Sequence, residues 1–270
     1  MKKHLGLFVM VLLLVGCSTG KHHRYSQNQD GAPNYKIDVN NIPNAVPKVE
    51  PLSKHANKTY TVLGKTYHVQ EKFVNYDETG IASWYGTKFD QFKTSNGETY
   101  DLAKMTAAHK TLPIPCYAKV TNLSNGKQVI VKINDRGPFV SNRIMDLSYV
   151  AAIKLGIWPK GTGLVRIQTI DPAHDSALEA QAGKVRDVPV SANPQIYMQL
   201  GAFSVKDNAE RLCAKVMTVS HNTVAVRAFT KNGQTLYKVW IGPLASVDNS
   251  DSLHSLIIDA QLGTPMTVIN

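Results

Sequence analysis

Polar side chains that could carry chemistry are concentrated between Thr94 and Asp146 of this 270-residue chain. Glu98 follows Asn96-Gly97, a turn dipeptide that would present its carboxyl group at the edge of a cleft. Loops held on a rigid scaffold are where binding and chemistry usually occur. A positioned carboxyl group can give or take a proton, so this segment is a candidate acid–base site.

Two further groups in the segment could assist such a carboxyl. His109 could orient Glu98, bind a hydroxyl group or tune the carboxyl pKa, or it could be a hydrogen-bonded structural histidine. Asp135 could lie beside Glu98 and raise its pKa by like-charge repulsion, or it could pair with Arg136 or Arg143 as a turn residue. The residue types alone leave both pairs of alternatives open.

The N-terminus has the pattern of a bacterial lipoprotein signal peptide over residues 1–16. A basic start precedes the apolar run from Leu5 to Val15, which is too short to span a bilayer as a stable helix. A small residue then precedes Cys17, the expected site of lipidation, and several acyl chains make a stable anchor. Ser18 follows where an Asp commonly retains lipoproteins at the inner membrane, which favours the outer membrane, facing the periplasm. An ordinary secretory signal with a chance cysteine is the alternative.

The formal net charge of the chain is +10, and it is unevenly distributed. Residues 80–170 carry +7, whereas residues 194–270 carry +1. A basic domain favours a polyanionic partner. The chain has no helix-turn-helix, zinc-finger or aromatic RNA-binding signature, so we expect an anionic wall polymer and no nucleic acid. No Cys/His cluster has zinc-ligand spacing, and neither a metal nor a cofactor is expected.

Composition and turn signals divide the rest of the chain. Residues 17–58 are polar without a sustained period and are predicted to be a flexible tether. Residues 59–79 predict a β extension, and residues 80–170, with many short strands and one or two short helices, predict a small closed barrel. Residues 171–193 are predicted to be a linker. Residues 194–270 have the order β-α-β-β-α-β of a small α+β domain.

Two cysteines, Cys116 and Cys213, remain beyond the N-terminal region, one in each predicted domain. The cell envelope is oxidising and would permit a disulfide. A single bridge between two linker-joined domains would be unusual, however. We therefore expect two buried free thiols that behave as small hydrophobic side chains.

Residues 80–170 resemble the double-psi β-barrel of the rare lipoprotein A family of septal lytic transglycosylases. The matching motifs are Ala82-Ser83-Trp84-Tyr85-Gly86, Thr94-Ser95-Asn96-Gly97-Glu98, Tyr100-Asp101, Thr106-Ala107-Ala108-His109, Asn134-Asp135-Arg136-Gly137-Pro138-Phe139 and Arg143-Ile144-Met145-Asp146-Leu147-Ser148. The resemblance implies a mainly β catalytic domain, a six-stranded double-psi β-barrel with short helices. One stretch departs from the family: Asp90-Gln91-Phe92-Lys93 stands where His-Gly and basic residues are usual.

The C-terminal domain is similar to a sporulation-related repeat (SPOR) domain. This resemblance is carried by Gln199-Leu200-Gly201-Ala202-Phe203, Ala209-Glu210-Arg211-Leu212 and Tyr237-Lys238-Val239-Trp240-Ile241-Gly242-Pro243-Leu244. That family binds septal peptidoglycan whose stem peptides have been removed. The resemblance therefore implies denuded septal glycan strands as the partner. We expect the chain to be a monomer.

Taken as a whole, the resemblance implies an endolytic enzyme that cleaves peptide-free septal glycan during cell division and leaves 1,6-anhydro-muramic acid ends. The C6 hydroxyl of the muramic acid attacks its own anomeric carbon, so one acid–base group can suffice without water. Glu98 is the predicted acid and then base, and His109 and Asp135 complete the catalytic set. A non-catalytic septal wall-binding lipoprotein is the alternative, and a hydrolase of the same polymer is a weaker third possibility.

Seven residues are expected to contact the glycan. They are Trp84, Tyr85, Asn96, Asp146, Gln199, Phe203 and Trp240. Trp84 and Tyr85 could stack on sugar faces, although an aromatic residue in a strand is more often part of a core. Asp146 occupies the place where related barrels such as expansins carry a functional Asp, but it could equally form a salt bridge with Arg143. Strand alternation places Tyr237 and Trp240 on opposite faces.

Overall fold

The structure, a computed structural model, describes residues 29–140, 142–174, 186–187 and 194–270. The predicted signal peptide and Cys17 lie outside the described residues. Within the described ranges, no helix is both long enough and apolar enough to cross a membrane.

Two groups of elements follow one another along the chain. The first comprises β1 (Tyr60–Val62), β2 (Lys65–Tyr67), β3 (Asp77–Tyr85), β4 (Thr106–His109), β5 (Cys116–Asn122), β6 (Lys127–Asp135), β7 (Arg143–Ser148), α1 (Tyr149–Leu155), β8 (Gly163–Ile170) and β9 (Arg186–Asp187). The second comprises β10 (Ile196–Phe203), α2 (Lys206–Met217), β11 (Val224–Lys231), β12 (Gln234–Leu244), α3 (Val247–Asp259) and β13 (Met266–Ile269). β1 and β2 pair as the hairpin expected of the N-terminal extension.

Strands β3 to β8 form a closed six-stranded barrel. They are hydrogen-bonded in the order β4-β7-β3-β8-β5-β6, and β6 also pairs with β4, which completes the ring. The β3–β7 and β4–β6 pairs are parallel, and the other pairs in the ring are antiparallel. Closure removes the free sheet edges and leaves the loops at the strand ends as the variable surface. The predicted six-stranded barrel is confirmed.

Short polar and glycine signals set the local turns of the barrel. Helix α1 begins after Ser148, whose Oγ accepts a hydrogen bond from the Ala151 N–H at 3.4 Å, and it ends at Gly156 with φ 70°. Both are common capping devices. Leu147 and Ser148 are the last two residues of β7, so the helix follows the strand directly. Gly126, with φ 74°, turns the chain from β5 into β6, as the hairpin signal indicated.

The prediction of a flexible tether is wrong for residues 29–58, which pack along the barrel. Asp30 Oδ2 accepts a hydrogen bond from the Gly86 N–H at 2.8 Å. The Asn57 side chain accepts from the Ile114 N–H at 2.8 Å and donates to the Ile114 carbonyl at 2.7 Å. Polar side chains that bond to barrel backbone hold this segment, and such contacts produce no hydrophobic period in the sequence.

The predicted linker also contains one ordered pairing. Arg186 and Asp187 form β9, which pairs antiparallel with the start of β6 through Gln128 and Lys127. Two positions of the predicted linker are therefore paired with the barrel sheet. Residues 175–185 and 188–193 lie outside the described part of the chain.

The C-terminal domain is a four-stranded antiparallel sheet in the order β11-β12-β10-β13. Helices α2 and α3 cover one face, where Met198, Val239 and Ile241 pack with Leu253 and Ile257. The predicted β-α-β-β-α-β order is confirmed. Both described cysteines are buried free thiols, as expected.

The two domains share an apolar contact. Ile81 of β3 and Leu164 of β8 belong to the same buried cluster as the core of the C-terminal domain. At the edge of this contact, Arg143 Nη2 lies 3.8 Å from Asp251 Oδ2 of α3. The interface therefore combines buried aliphatic side chains with a charged pair.

Candidate active site

A cavity of about 750 Å³ lies between the barrel and the N-terminal segment. This volume is within the range of ligand-binding pockets. Its lining combines aromatic, cationic and carboxylate side chains, among them Tyr60, Tyr85, Phe139, Arg136, Asp135 and Asp146. A cavity that combines aromatic faces with charged and polar groups suits a polar polymer such as a glycan.

The N-terminal segment supplies one wall of this cavity. The Arg136 guanidinium donates to the Ala56 carbonyl at 3.1 and 2.9 Å and to Asn57 Oδ1 at 2.9 Å. Its Cζ lies 5.9 Å from the centre of the Tyr60 ring, which stacks on Tyr67 at 5.2 Å. The sequence did not indicate this wall, because these residues fall in the predicted tether and extension. The aromatic residues of the β1–β2 hairpin were the available signal.

Asp146 is the carboxyl group of the cavity whose surroundings favour the protonated form. Burial raises its pKa, and this effect outweighs the opposing influence of the Ser83 hydroxyl and of Arg143. Ser83 Oγ donates to Asp146 Oδ1 across the parallel β3–β7 pair. The predicted alternative of a salt bridge with Arg143 is not formed, because Arg143 pairs with Asp251. Ser83 was not singled out from the sequence, although it lies in a matching motif.

Glu98 has the opposite electrostatic environment. Its Oε1 accepts from Lys132 Nζ at 2.6 Å and its Oε2 accepts from Asn134 Nδ2 at 2.8 Å. Burial raises the pKa of Glu98, but these hydrogen bonds outweigh it and the net pKa is lowered. A general acid needs a raised pKa, so the prediction of Glu98 as the acid disagrees with its surroundings. Glu98 lies on the loop that borders the cavity and is not part of its lining.

Asn96 and Asp135 shape the loop that carries Glu98. Asn96 Oδ1 accepts from the Glu98 N–H at 3.2 Å and from Thr94 Oγ1 at 2.7 Å. Asp135 Oδ1 accepts from the Ser95 N–H at 2.8 Å and from Ser95 Oγ at 2.5 Å. Asp135 lines the cavity, but it is not among the groups that shift the pKa of Glu98. Asn96 holds the loop from within, and Asp135 holds it against the end of β6.

His109 is a buried, neutral histidine. Burial lowers its pKa to about 3, with a smaller contribution from Arg136 and Lys110. Its Nδ1 accepts from the Thr111 and Leu112 N–H groups at 3.2 and 2.9 Å, so Nε2 carries the proton and faces Tyr76 Oη at 3.0 Å. These contacts match the alternative of a hydrogen-bonded structural histidine.

His109 also faces away from the 750 Å³ cavity. Ala108 lines that cavity, whereas His109 lines a second cavity of about 250 Å³ between the domains. Successive residues of a strand point to opposite faces, which explains the separation. The structure therefore does not bring His109 and Glu98 together, and a catalytic role for His109 stays a prediction.

Trp84 and Tyr85 point to opposite sides of β3. Tyr85 lines the 750 Å³ cavity and packs against Tyr100, with the two rings tilted and their centroids 4.1 Å apart. Trp84 packs against Tyr149 and Trp158 at 5.5 and 5.1 Å, beside helix α1. Of these two predicted contacts, only Tyr85 borders the cavity, and Trp84 has the role of a core aromatic residue.

Comparison with known proteins decides the family. A family model described as lytic transglycolase matches residues 77–168, and one described as SPOR domain matches residues 192–255. The endolytic peptidoglycan transglycosylase RlpA of Pseudomonas aeruginosa is 38% identical over 97% of this chain and 95% of its own length. This chain belongs to the RlpA family. The RlpA of Vibrio cholerae is also 38% identical, over 91% of this chain and 89% of its own length.

The family assignment confirms the enzyme class expected from the sequence, a lytic transglycosylase, and a SPOR domain at the C-terminus. Among solved structures, the crystal structure of the RlpA SPOR domain from Pseudomonas aeruginosa is 37% identical to this chain. It covers 27% of this chain and 96% of its own length, with a TM-score of 0.27.

The loop that departs from the usual RlpA pattern keeps a strained residue where that pattern has glycine. Gln91 has φ 65°, in the left-handed region that glycine adopts most easily. The loop is nevertheless closed, because the Gln91 N–H donates to the Tyr100 carbonyl at 2.9 Å and the Tyr100 N–H donates to the Phe92 carbonyl at 2.8 Å. The departure changes side chains and leaves the loop hydrogen-bonded.

The predicted glycan contacts of the SPOR domain lie on two faces of its sheet. Trp240 Nε1 donates to Gln199 Oε1 at 3.2 Å, and the Trp240 ring packs against Tyr197 on the face without helices. Phe203 packs instead against the helix-covered core, as does Tyr237. A register irregularity between Gln199 and Gly201 shifts the alternation of β10. Phe203 therefore lies on the face opposite Gln199 and Trp240, and its contact with glycan stays a prediction, whereas the opposite faces of Tyr237 and Trp240 are confirmed.

Proposed function

We propose that this RlpA-family chain is an endolytic peptidoglycan transglycosylase that cleaves glycan strands lacking stem peptides and leaves 1,6-anhydro-muramic acid ends. The observation that carries the proposal is Asp146, a carboxyl of raised pKa that lines an aromatic cavity of about 750 Å³. The relatives named endolytic peptidoglycan transglycosylase support the substrate class.

In the proposed mechanism, protonated Asp146 donates its proton to the glycosidic oxygen as the bond from that oxygen to the muramic anomeric carbon breaks. The C6 hydroxyl oxygen of the same muramic acid bonds to the anomeric carbon. Its proton passes to the Asp146 carboxylate, which restores the starting state without consuming water. The Ser83 hydroxyl, which donates to Asp146, keeps the carboxyl oriented during both transfers.

Glu98 has a different part in this proposal. Its ionised carboxylate holds Lys132 and Asn134 and so fixes the loop that borders the cavity. Ser95 of the same loop donates to Asp135 in the cavity lining. Glu98 is therefore a positioning residue, and Asp146 takes the proton-transfer role that the sequence analysis gave to Glu98.

The cellular context completes the proposal. Cys17 carries a lipid anchor in the outer membrane, the barrel faces the periplasm, and the SPOR domain concentrates the monomeric enzyme on denuded glycan at the division septum. The lipoprotein pattern of residues 1–17 and the SPOR family match support these steps. Loss of radiolabelled palmitate in Cys17→Ala would test the anchor, and fluorescence of the tagged SPOR domain in dividing cells would test septal binding.

The deciding experiment is digestion of peptide-free glycan strands by the purified full-length chain, with mass spectrometry of the products. We expect internal cleavage and new ends that are lighter by one water than reducing ends. Reducing ends would indicate a hydrolase. Binding without any product, together with an intact fold, would support the non-catalytic wall-binding alternative.

A further inference from the structure

The 750 Å³ cavity carries cationic side chains that form no ion pair with a carboxylate among the described residues. Lys58, Lys93 and Arg136 line it together with Asp135 and Asp146. The Arg136 guanidinium is held in the wall, since its hydrogen bonds go to main-chain carbonyls and one amide oxygen. Its charge is therefore fixed at the cavity, and no residue in the described part of the chain forms an ion pair with it.

Unlike the Arg136 guanidinium, the two lysine ammonium groups have donors available for a ligand. Lys93 Nζ donates to Thr99 Oγ1 at 2.9 Å, which leaves donors for another group. Within the part of the chain that the structure describes, neither Lys58 nor Lys93 forms an ion pair with a carboxylate. Asp135 is already engaged, because its Oδ1 accepts three hydrogen bonds. The cavity can thus accept an anionic group from a ligand.

The proposed substrate offers one anionic group that changes with its processing. In a peptide-free strand, each muramic acid exposes the carboxylate of its lactyl ether. In a strand that carries stem peptides, the same carboxyl forms an uncharged amide with the first amino acid. A site that distinguishes a carboxylate from an amide at this position would distinguish the two kinds of strand.

We infer that Lys58 and Lys93 bind the free lactyl carboxylate of muramic acid, so that the barrel itself selects peptide-free strands. The inference rests on the proposed function and deepens it, because it assigns the selection to the cleavage site in addition to the SPOR domain. The two ammonium groups come from separate elements, the N-terminal segment and the loop before Thr94. The muramic acid that carries the reacting anomeric carbon would be held between them, in the cavity that Tyr60 and Tyr85 also line.

The test compares two chemically matched substrates. One is peptide-free glycan, and the other is the same glycan with its lactyl carboxyls converted to methylamides. We expect the full-length chain to cleave the carboxylate form with a kcat/KM about tenfold higher, as a charge-assisted contact of modest strength would give. In the double variant Lys58→Gln/Lys93→Gln, this ratio should fall to about one.

A control variant and a binding assay separate the inference from other effects. Lys72→Gln removes the same charge from an exposed position outside the cavity and should keep the tenfold preference. Retention on insoluble peptide-free glycan should be equal for all three proteins, because the SPOR domain supplies it. Equal cleavage of both substrates by the unmodified chain, or an unchanged ratio in the double variant, would overturn the inference. Failure of the proposed function would look different, as neither substrate would yield anhydro ends.

Discussion

The Glu98 carboxylate accepts a hydrogen bond of 2.6 Å from Lys132 Nζ, and the same ammonium donates to Glu50 at 2.9 Å. Lys132 thus links the loop beside the cavity to the N-terminal segment. The pKa of Glu98 and that of Glu50 are both lowered, because these hydrogen bonds outweigh the effect of burial. A carboxylate held in its charged form is suited to fixing a loop and poorly suited to donating a proton.

Replacement of Glu98 tests this positioning role. Glu98→Gln should lower kcat/KM on peptide-free glycan by about 10²-fold, because a small displacement of the bordering loop misplaces the substrate. The alkaline limb of the pH profile should stay where it is in the unmodified chain, because Asp146 still supplies the proton. If that limb of the pH profile disappears in Glu98→Gln, Glu98 and not Asp146 is the proton donor.

Removal of the proposed acid should have the larger effect on rate. Asp146→Asn should lower turnover by about 10²–10⁴-fold, the usual contribution of a positioned acid–base group. The amide oxygen can still accept the hydrogen bond from Ser83, so the fold should persist. Asp77→Asn, at an exposed ion pair with Arg166 outside the cavity, is the matched control and should retain activity. Comparable rates for the two variants would remove Asp146 from the mechanism.

The pH dependence of stability provides a second test of Asp146. Its pKa is raised in the folded chain, so its favourable contribution is present below the unfolded pKa and is lost as pH rises through the folded pKa. Above its folded pKa, Asp146 is therefore a carboxylate in surroundings that disfavour charge. Asp146→Asn should have a Tm at pH 7 equal to or above that of the unmodified chain, as measured by differential scanning calorimetry. A clear decrease would show that the charged form is stabilised.

His109 should make the barrel acid-sensitive. Its pKa is lowered by burial to about 3, below the ordinary value of 6.5. The unfolded chain therefore binds the proton first, and the folded state loses stability as pH falls from about 6.5 towards 3, by up to about 1.4 kcal/mol for each pH unit. His109→Gln should flatten this slope in urea titrations, whereas His68→Gln, at an exposed position, should not. Identical slopes for both variants would contradict the prediction.

Because the two domains share buried apolar side chains, we expect the barrel to be less stable without the SPOR domain. Ile81 is fully buried and Leu164 is 8% exposed, both in a cluster completed by the SPOR domain. A barrel fragment of residues 1–180 would expose both side chains, which costs about 1.5–3 kcal/mol for each fully exposed aliphatic residue. We expect calorimetry to show a lower barrel Tm for the fragment than for the full chain. Equal values would show that the two domains fold independently, as the linker composition suggested.

The sequence predicts the barrel well because closed β structure depends on signals that are local. Alternating strands and a glycine turn such as Gly126 mark the hairpins without knowledge of distant contacts. The packing of residues 29–58 depends instead on single hydrogen bonds from side chains such as Asp30 and Asn57 to distant backbone. Those contacts leave no periodic pattern, so composition alone predicted a tether.

In the candidate site, too, local turns could be predicted from the sequence, whereas contacts between residues distant in the chain could not. The turn at Asn96-Gly97 correctly placed Glu98 on a loop beside the cavity, but no sequence pattern indicated Lys132 as its partner. The hydrogen bond from Lys132 lowers the pKa of Glu98, whereas an acid would need a raised pKa. Glu98 is therefore suited to positioning the loop and not to donating a proton. The sheet face on which Phe203 lies could not be predicted for a related reason. A register irregularity is a property of two paired strands and is not visible in the sequence of one of them.

Under the proposed lipid anchor, the attachment of Asp30 to Gly86 would limit how far the enzyme can work from a membrane. With Cys17 lipidated as proposed, only 12 residues, 18–29, separate the anchor from this attachment point. Fully extended, that distance is at most about 45 Å, whereas a free tether up to residue 58 would reach about 140 Å. The barrel would then cut only glycan that lies close to its own membrane, and lengthening the segment between Cys17 and Asp30 would deepen the layer of wall it can reach.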